Sequence, residues 1–209
     1  MRRSKITLLL SCFLVPLAAT SAVAQDTGYF SAKVGSFLPN SKSGNSLKDF
    51  NTGYNAEVAV GYRPESYAAL ELGTGVYSAS GTVTTADSTS DKTLYTIPVT
   101  ATAKAILDLE KFELFAGAGI GYYFAFVDNN MTFTTGPAPV KESSHGSALG
   151  YHLTAGGDYK VAERFRLGAD FKYFVAKPEL ELTDSQNVKS RSKWDVGGTV
   201  INLDLKYTF

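Results

Sequence analysis

The chain has 209 residues, a length that fits one ordinary domain, and its 20 basic residues balance its 20 acidic residues. This balance gives no electrostatic reason to expect a nucleic-acid partner. Hydrophobic residues make up 44% of the chain, which excludes a disordered protein, and the single Cys excludes an internal disulfide framework and a thiolate zinc site. The 19 Gly, 12 Tyr and 13 Phe favour a protein built from many strands.

The first 24 residues have the features of a secretory signal peptide. Basic residues near the start precede an apolar stretch that is too short to span a membrane, and Ala22 and Ala24 provide a small-x-small cleavage pattern. We therefore expect a signal peptide over residues 1–24 and one domain over residues 25–209. Two alternatives remain open: an uncleaved N-terminal anchor, and lipidation at Cys12.

Alternation of apolar residues with small or polar residues predicts eight β-strands. The predicted strands cover residues 28–38, 53–63, 68–77, 95–107, 112–127, 149–160, 165–176 and 194–209. Short turns between them alternate with long polar stretches at about 39–52, 79–94, 128–147 and 177–193, which we interpret as loops. After Ala24 no apolar run is long enough to predict a transmembrane helix.

The two faces of the predicted strands differ in chemistry. One face carries no ionisable residue and includes many aromatic side chains toward the strand ends, such as Tyr54, Phe126 and Phe171. The other face is rich in small residues and carries the ionisable groups Lys33, Glu57, Arg63, Glu71, Lys104, Glu113, His152, Asp158, Lys160, Arg166, Asp170, Lys172, Asp204 and Lys206. An apolar face toward lipid and a charged face toward a narrow interior predict an all-β protein, an eight-stranded antiparallel up-and-down transmembrane β-barrel. The alternative is a soluble lipocalin-like barrel, in which the faces are reversed.

The balanced charges of the inner face predict a salt-bridged plug rather than an ion-selective ring, which would carry one sign. From their positions along the strands, we expect a network at mid-barrel formed by Lys33, Glu57, Glu71, Lys104 and Lys172. An even number of strands places both termini on the same side of the membrane. Together with the signal peptide and the short turns, this predicts periplasmic termini and four long extracellular loops.

The end of the chain resembles the C-terminal signal by which bacterial outer-membrane barrels are recognised for insertion, through Leu203, Leu205, Tyr207 and the final Phe209. With the stretches 29–35, 55–62, 115–122 and 155–159, the chain resembles the small outer-membrane β-barrel family of OmpA-like and OmpW-like proteins. The resemblance implies a bacterial outer-membrane location, contact with lipid and lipopolysaccharide, and handling by periplasmic chaperones and the barrel insertion machinery. The full OmpA pattern continues into a peptidoglycan-binding domain, which we do not expect here.

Few residues suggest chemistry. His145 and Ser147 have the His-x-Ser spacing of lipid A deacylases, which suits a base and a nucleophile, but the residues around them do not match that family. We interpret this pair and the nearby Glu142 as residues at the outer start of a strand and in its loop. His152 is interpreted as a hydrogen-bonded interior residue, and no cluster has metal spacing, so we expect neither metal nor cofactor. The glycine-rich run 117–121 lies within a strand, which indicates close packing rather than a nucleotide loop.

These observations predict a non-enzymatic barrel with a plugged polar lumen. Its predicted role is structural, or lies in surface interactions through the loops, whose ligands the sequence does not identify. The first alternative is an OmpW-like, porin-like channel for small hydrophobic molecules. That function predicts a lateral opening and an apolar lining near the outer mouth from Phe115, Tyr123, Val127, Phe174 and Trp194. The second, less favoured alternative is a barrel enzyme that modifies lipid A.

Overall fold

The computed structural model describes residues 27–40, 50–135, 140–183 and 189–209, so the predicted signal peptide lies outside the described residues. The described residues form ten strands: β1 (Gly28–Pro39), β2 (Gly53–Glu65), β3 (Ala68–Thr84), β4 (Ser88–Leu109), β5 (Phe112–Phe133), β6 (Val140–Lys160), β7 (Phe165–Ala176), β8 (Glu179–Thr183), β9 (Lys189–Lys193) and β10 (Gly198–Thr208). None of the described residues belongs to a helix with the length and hydropathy needed to span a bilayer.

Eight of these strands form a closed antiparallel ring. Strands β1 to β7 pair in chain order, and β10 closes the ring by pairing with both β7 and β1. Strands β8 and β9 form a hairpin at the edge of β6, outside the ring. The predicted all-β, eight-stranded antiparallel barrel is thereby confirmed. Closure matters because it leaves the ring without a sheet edge whose backbone groups would lack partners in lipid.

Burial alternates along the ring strands, with polar residues inside and apolar residues outside. In β1, Ser31 and Lys33 are buried, whereas the side chain of Val34 is 60% exposed. Leu72 and Leu149 are 68% and 71% exposed. A lipocalin-like barrel would bury such residues, and this arrangement instead suits a barrel surrounded by hydrocarbon. Lys160 lies opposite the inner-face residue Arg166 but is exposed, because it occupies the last position of β6 beside a turn.

Two of the predicted loops are largely strand. Strand β3 continues to Thr84 and β4 begins at Ser88, while β5 continues to Phe133 and β6 begins at Val140. The region predicted as the loop 177–193 contains β8 and β9, and the last strand begins at Gly198 rather than at residue 194. We call residues 79–94, 128–135 and 140–147, together with β8 and β9, the crown. The apolar alternation that signals a lipid-facing strand disappears there, although the ladder of backbone pairs continues.

Two prolines interrupt the ladders of the wall. Pairing of β3 with β4 skips Pro98 and its neighbour and resumes in the same register, and the Thr74 hydroxyl donates to the Pro98 carbonyl at 2.8 Å. Pairing of β6 with β7 ends at Gly150, and the same register returns only where His145 meets β8. Residues 146–149 therefore have no partner in β7 or β8, opposite Pro178. Proline has no N–H to give to a ladder, which accounts for both interruptions, here named the Pro98 gap and the Pro178 gap.

Candidate functional site: the barrel interior

An acid–base group fills the lumen around Glu71, which β3 directs inward. The Lys104 Nζ atom lies 2.6 Å from Glu71 Oε2, and the Tyr29 hydroxyl donates to the same oxygen at 2.9 Å. Lys33 Nζ lies 3.4 Å from Glu71 Oε1 and 2.8 Å from Asp170 Oδ2. All of these side chains are buried, so each charge relies on its partners instead of on water.

A second acid–base group adjoins the first. Lys172 pairs with Glu57, and the Asn202 side-chain amide donates to Glu57 Oε1 at 3.3 Å and to Asp170 Oδ1 at 2.8 Å. Asn55 donates in turn to Asn202 Oδ1 at 2.5 Å. Asn202 thus joins the pair Lys172–Glu57 to the group around Glu71.

The structure places all five residues expected at mid-barrel on the inner face. It brings Lys33, Lys104 and Glu71 together, and it places Lys172 with Glu57. The two links between these sets, Asp170 and Asn202, were not part of the expected network. Asp170 could have been predicted as a member of the network, because its position in the alternation of β7 directs it inward. Asn202 could not be predicted from charge, because its side chain is neutral.

A third group lies at the end of the lumen where β1 begins and β10 ends. Glu113 accepts from Arg63, while Arg166 Nη1 lies 3.0 Å from Glu113 Oε2 and Lys206 Nζ lies 3.6 Å from Glu113 Oε1. Lys206 also pairs with Asp158. The Lys206 ammonium further lies 4.9 Å from the ring centroid of Tyr29. The aromatic face supplies additional attraction for this cation.

The other half of the lumen is filled by four aromatic rings, which we call the aromatic cluster: Phe37, Tyr77, Tyr123 and Phe174. Each is 0% exposed. Phe174 stacks on Tyr123 with centroids 5.1 Å apart and lies 5.3 Å from Tyr77, while Phe37 lies 5.6 Å from Tyr77 and 5.8 Å from Phe174. Buried aliphatic residues and the partly buried Trp194 pack around these rings. The rings form a layer on the crown side of the charged groups, with the hydroxyls of Tyr77 and Tyr123 buried in it without hydrogen-bond partners.

The prediction that five residues would together form an apolar channel lining is therefore partly wrong. Tyr123, Val127, Phe174 and Trp194 do lie together. Phe115 packs with Tyr29 at the opposite end, because β5 crosses most of the barrel between residues 115 and 123.

Glycines of the inner face make room for large neighbours. A Cβ atom added at Gly119 would lie 2.5 Å from the His152 ring, and one added at Gly121 would lie 2.9 Å from the Tyr123 ring. At Gly61, an added Cβ would overlap the Tyr29 ring. The glycine run of β5 thus provides the space into which side chains from the same lumen fit.

The candidate histidines lie on opposite faces of β6. His152 is buried inside, with Nε2 2.8 Å from Thr102 Oγ1. His145 and Ser147 lie on the outer face within β6, which corrects their assignment to a strand start and loop; Glu142 is also in this strand. The Ser147 hydroxyl lies 2.9 Å from the Tyr122 hydroxyl. Among the described residues, no group of three or more His, Cys, Asp or Glu could hold a metal ion.

The sequence profile of the "Outer membrane protein beta-barrel domain" matches residues 7–209. The chain belongs to this family. Its location is accordingly the bacterial outer membrane, as the resemblance of its final strand implied.

Solved structures of outer-membrane barrels share the fold. Neisserial surface protein A aligns with a TM-score of 0.52 and 15% identity over 90% of this chain and 100% of that one. OprG from Pseudomonas aeruginosa aligns with a TM-score of 0.59 and 13% identity, over 88% and 96% of the two chains. A major outer membrane protein from Thermus thermophilus has a TM-score of 0.52 and 13% identity, over 87% and 99%. No curated protein matches the sequence. At these identities the likeness concerns architecture, and function has to be argued from side chains.

Proposed function

We propose that this protein is a sealed outer-membrane barrel with a non-enzymatic structural and surface-interaction role, rather than an open pore. The observation that carries this proposal is the double filling of the lumen by buried ion pairs in one half and by the aromatic cluster in the other. An eight-stranded ring has an interior just wide enough for its own side chains. A water path would have to separate buried charge partners, and leaving one such charge unpaired costs about 3–5 kcal/mol.

The proposed orientation places the termini and the short turns in the periplasm and the crown outside the cell. Support comes from the connections: one end of the ring has tight turns such as the one at Glu110 and Lys111, and the other carries the long strand extensions. The outer face of the crown is polar. There Thr82 donates to Asp91 at 2.7 Å, and Ser143 donates to Asp128 at 2.7 Å. Such a surface suits contact with water, sugars and other cell-surface molecules.

Two measurements test this proposal. In planar bilayers, the purified mature protein should show no steady conductance, and persistent single-channel steps would refute the sealed lumen. For orientation, Thr82→Cys and Lys111→Cys introduce one thiol each at opposite ends of the barrel. An impermeant maleimide applied to intact cells should label the first and spare the second. The reverse result would invert the proposed orientation.

A second candidate, passage of small hydrophobic molecules through the wall, is favoured by the Pro98 gap. The side chain of Thr74 bridges this gap from the lipid-facing side. Proteoliposomes should then take up an apolar dye faster than protein-free liposomes, and Pro98→Val, which restores an N–H to the ladder, should slow uptake. Equal uptake with and without the protein would remove this candidate.

A further inference from the structure

Several polar atoms buried in the lumen have no hydrogen-bond partner among the described residues. Six of them belong to inner-face side chains other than Asp, Glu, Lys and Arg, and these side chains are at most 5% exposed. The six atoms are Asn55 Oδ1, the hydroxyls of Tyr77 and Tyr123, Thr96 Oγ1, His152 Nδ1 and Thr154 Oγ1. A buried polar atom without a partner destabilises the folded state, so native proteins pair such atoms with protein groups or with ordered water. These atoms therefore indicate a bound molecule inside the barrel.

The Tyr123 hydroxyl is directed along the inner face toward His152. Gly121 and Gly150 are register partners on β5 and β6, and a Cβ atom added at either would lie 2.9 Å from the Tyr123 ring. The added Cβ at Gly121 would also lie 3.2 Å from Cζ, the ring carbon that bears the hydroxyl. The next inward pair along these strands is Gly119 and His152. The tyrosine ring thus covers one glycine pair and extends its hydroxyl toward the histidine.

His152 reaches the same level of the lumen with one ring nitrogen unpaired. Its Nε2 atom lies 2.8 Å from Thr102 Oγ1, whereas Nδ1 has no partner within the described ranges. His152 is also the register partner of Phe174, whose ring stacks on Tyr123. Two positions further along the same face, Thr154 carries another unpaired hydroxyl. Unpaired atoms from β5 and β6 therefore meet at the boundary between the aromatic cluster and the ion pairs.

The chemistry of these atoms favours water as the bound molecule. A tyrosine hydroxyl can donate and accept, and a neutral imidazole nitrogen does one or the other according to its tautomer. Water suits either tautomer because it also donates and accepts. Lys172, the register partner of Thr154, already pairs with Glu57, so this pair leaves no free charge to hold an ion. A small neutral molecule with both kinds of hydrogen-bonding capacity is the class that fits.

We propose that the lumen holds a buried water molecule that bridges the Tyr123 hydroxyl and His152 Nδ1. This inference goes beyond the proposed function, because a sealed lumen requires only that the interior be filled, not that solvent be enclosed in it. Buried water molecules typically make about three hydrogen bonds, and the Thr154 hydroxyl is available for the third. One enclosed water is not a conducting path, since the stacked rings of Tyr123 and Phe174 lie on its crown side.

Tyr123→Phe tests the bridge through the sign of its effect on stability. If the buried hydroxyl had no partner, its removal would lower the equilibrium constant for unfolding. Because we assign it a hydrogen bond to water, we expect the constant to rise by about 2- to 10-fold, measured by urea unfolding in lipid vesicles. Tyr151→Phe is the matched control: it removes the same atom from a ring of β6 that is 58% exposed, and it should leave the constant unchanged.

A high-resolution crystal structure of the full mature protein tests the water directly. We expect an electron-density peak within hydrogen-bonding distance of both the Tyr123 oxygen and His152 Nδ1, and we expect it to be lost or displaced in Tyr123→Phe. The proposal is overturned if the wild-type protein has no such peak, if the two side chains bond to each other directly, or if Tyr123→Phe leaves stability unchanged or raises it. The wild-type structure decides the question even if the variant fails to assemble, and bilayer conductance tests the sealed lumen separately.

Discussion

The substitution Glu71→Gln tests the lumen network at its most connected carboxylate. Glu71 accepts from Tyr29 and faces two ammonium groups, those of Lys104 at 2.6 Å and Lys33 at 3.4 Å. Glutamine keeps the shape but turns an amide donor toward one of these lysines and removes the negative charge. Leaving a buried charge without its partner costs about 3–5 kcal/mol, and Lys33 retains Asp170, so we expect a loss in this range, caused chiefly by Lys104. Urea unfolding of the barrel in lipid vesicles measures the change.

Two further variants make this prediction refutable. Asp91→Asn alters a carboxylate of the exposed crown that accepts from Thr82, and it should cost about 1 kcal/mol or less. Adding Lys104→Met to Glu71→Gln removes the unpaired ammonium and should restore part of the lost stability. If Glu71→Gln were no more damaging than Asp91→Asn, or if the double variant were less stable than the single one, an unpaired buried ammonium could not be the cause of the lost stability.

Three other results are expected. Phe209→Ala should lower the fraction of protein assembled in the outer membrane, measured by heat-modifiability, whereas Phe112→Ala, which removes another exposed aromatic ring, should not. Gly119→Ala should destabilise the barrel by about 1–3 kcal/mol, because the added Cβ would overlap the backbone oxygen of Ala101. In the same urea assay Gly73→Ala should lower the free energy of unfolding less, because the atom nearest to its added Cβ is 3.2 Å away. Phe174→Ala should lower the free energy of unfolding by about 3–5 kcal/mol, and an unchanged value would show that the aromatic cluster is loosely packed.

Sequence patterns predict the ring well because each ring strand lies between two different solvents. Hydrocarbon outside and a polar interior impose an alternation that can be read residue by residue, as in Val34 against Lys33. In the crown the outer face is polar, so strands such as the one through Thr82 lose the apolar alternation although their backbone pairs persist. The strand ends within the predicted loops were wrong for this reason. The position of His145 and Ser147 was missed in the same way, since their register became evident only from the continuous ladder between β5 and β6.

The filling of the interior is harder to predict from the sequence. Alternation shows which residues point inward, but it does not show at which level of the barrel the inner residues are charged and at which they are aromatic. Tyr123 shares its face of β5 with Gly119, and Phe174 shares its face of β7 with Lys172, so small or charged neighbours accompany each ring in the pattern. The structure separates the two kinds of residue along the barrel axis, with the rings on the crown side and the ion pairs below. In the proposed sealed barrel this order would have a physical consequence: rings that exclude water from the crown side would strengthen the attraction between the ion pairs and raise the cost of any charge that loses its partner. The aromatic layer and the charged layer would then reinforce each other.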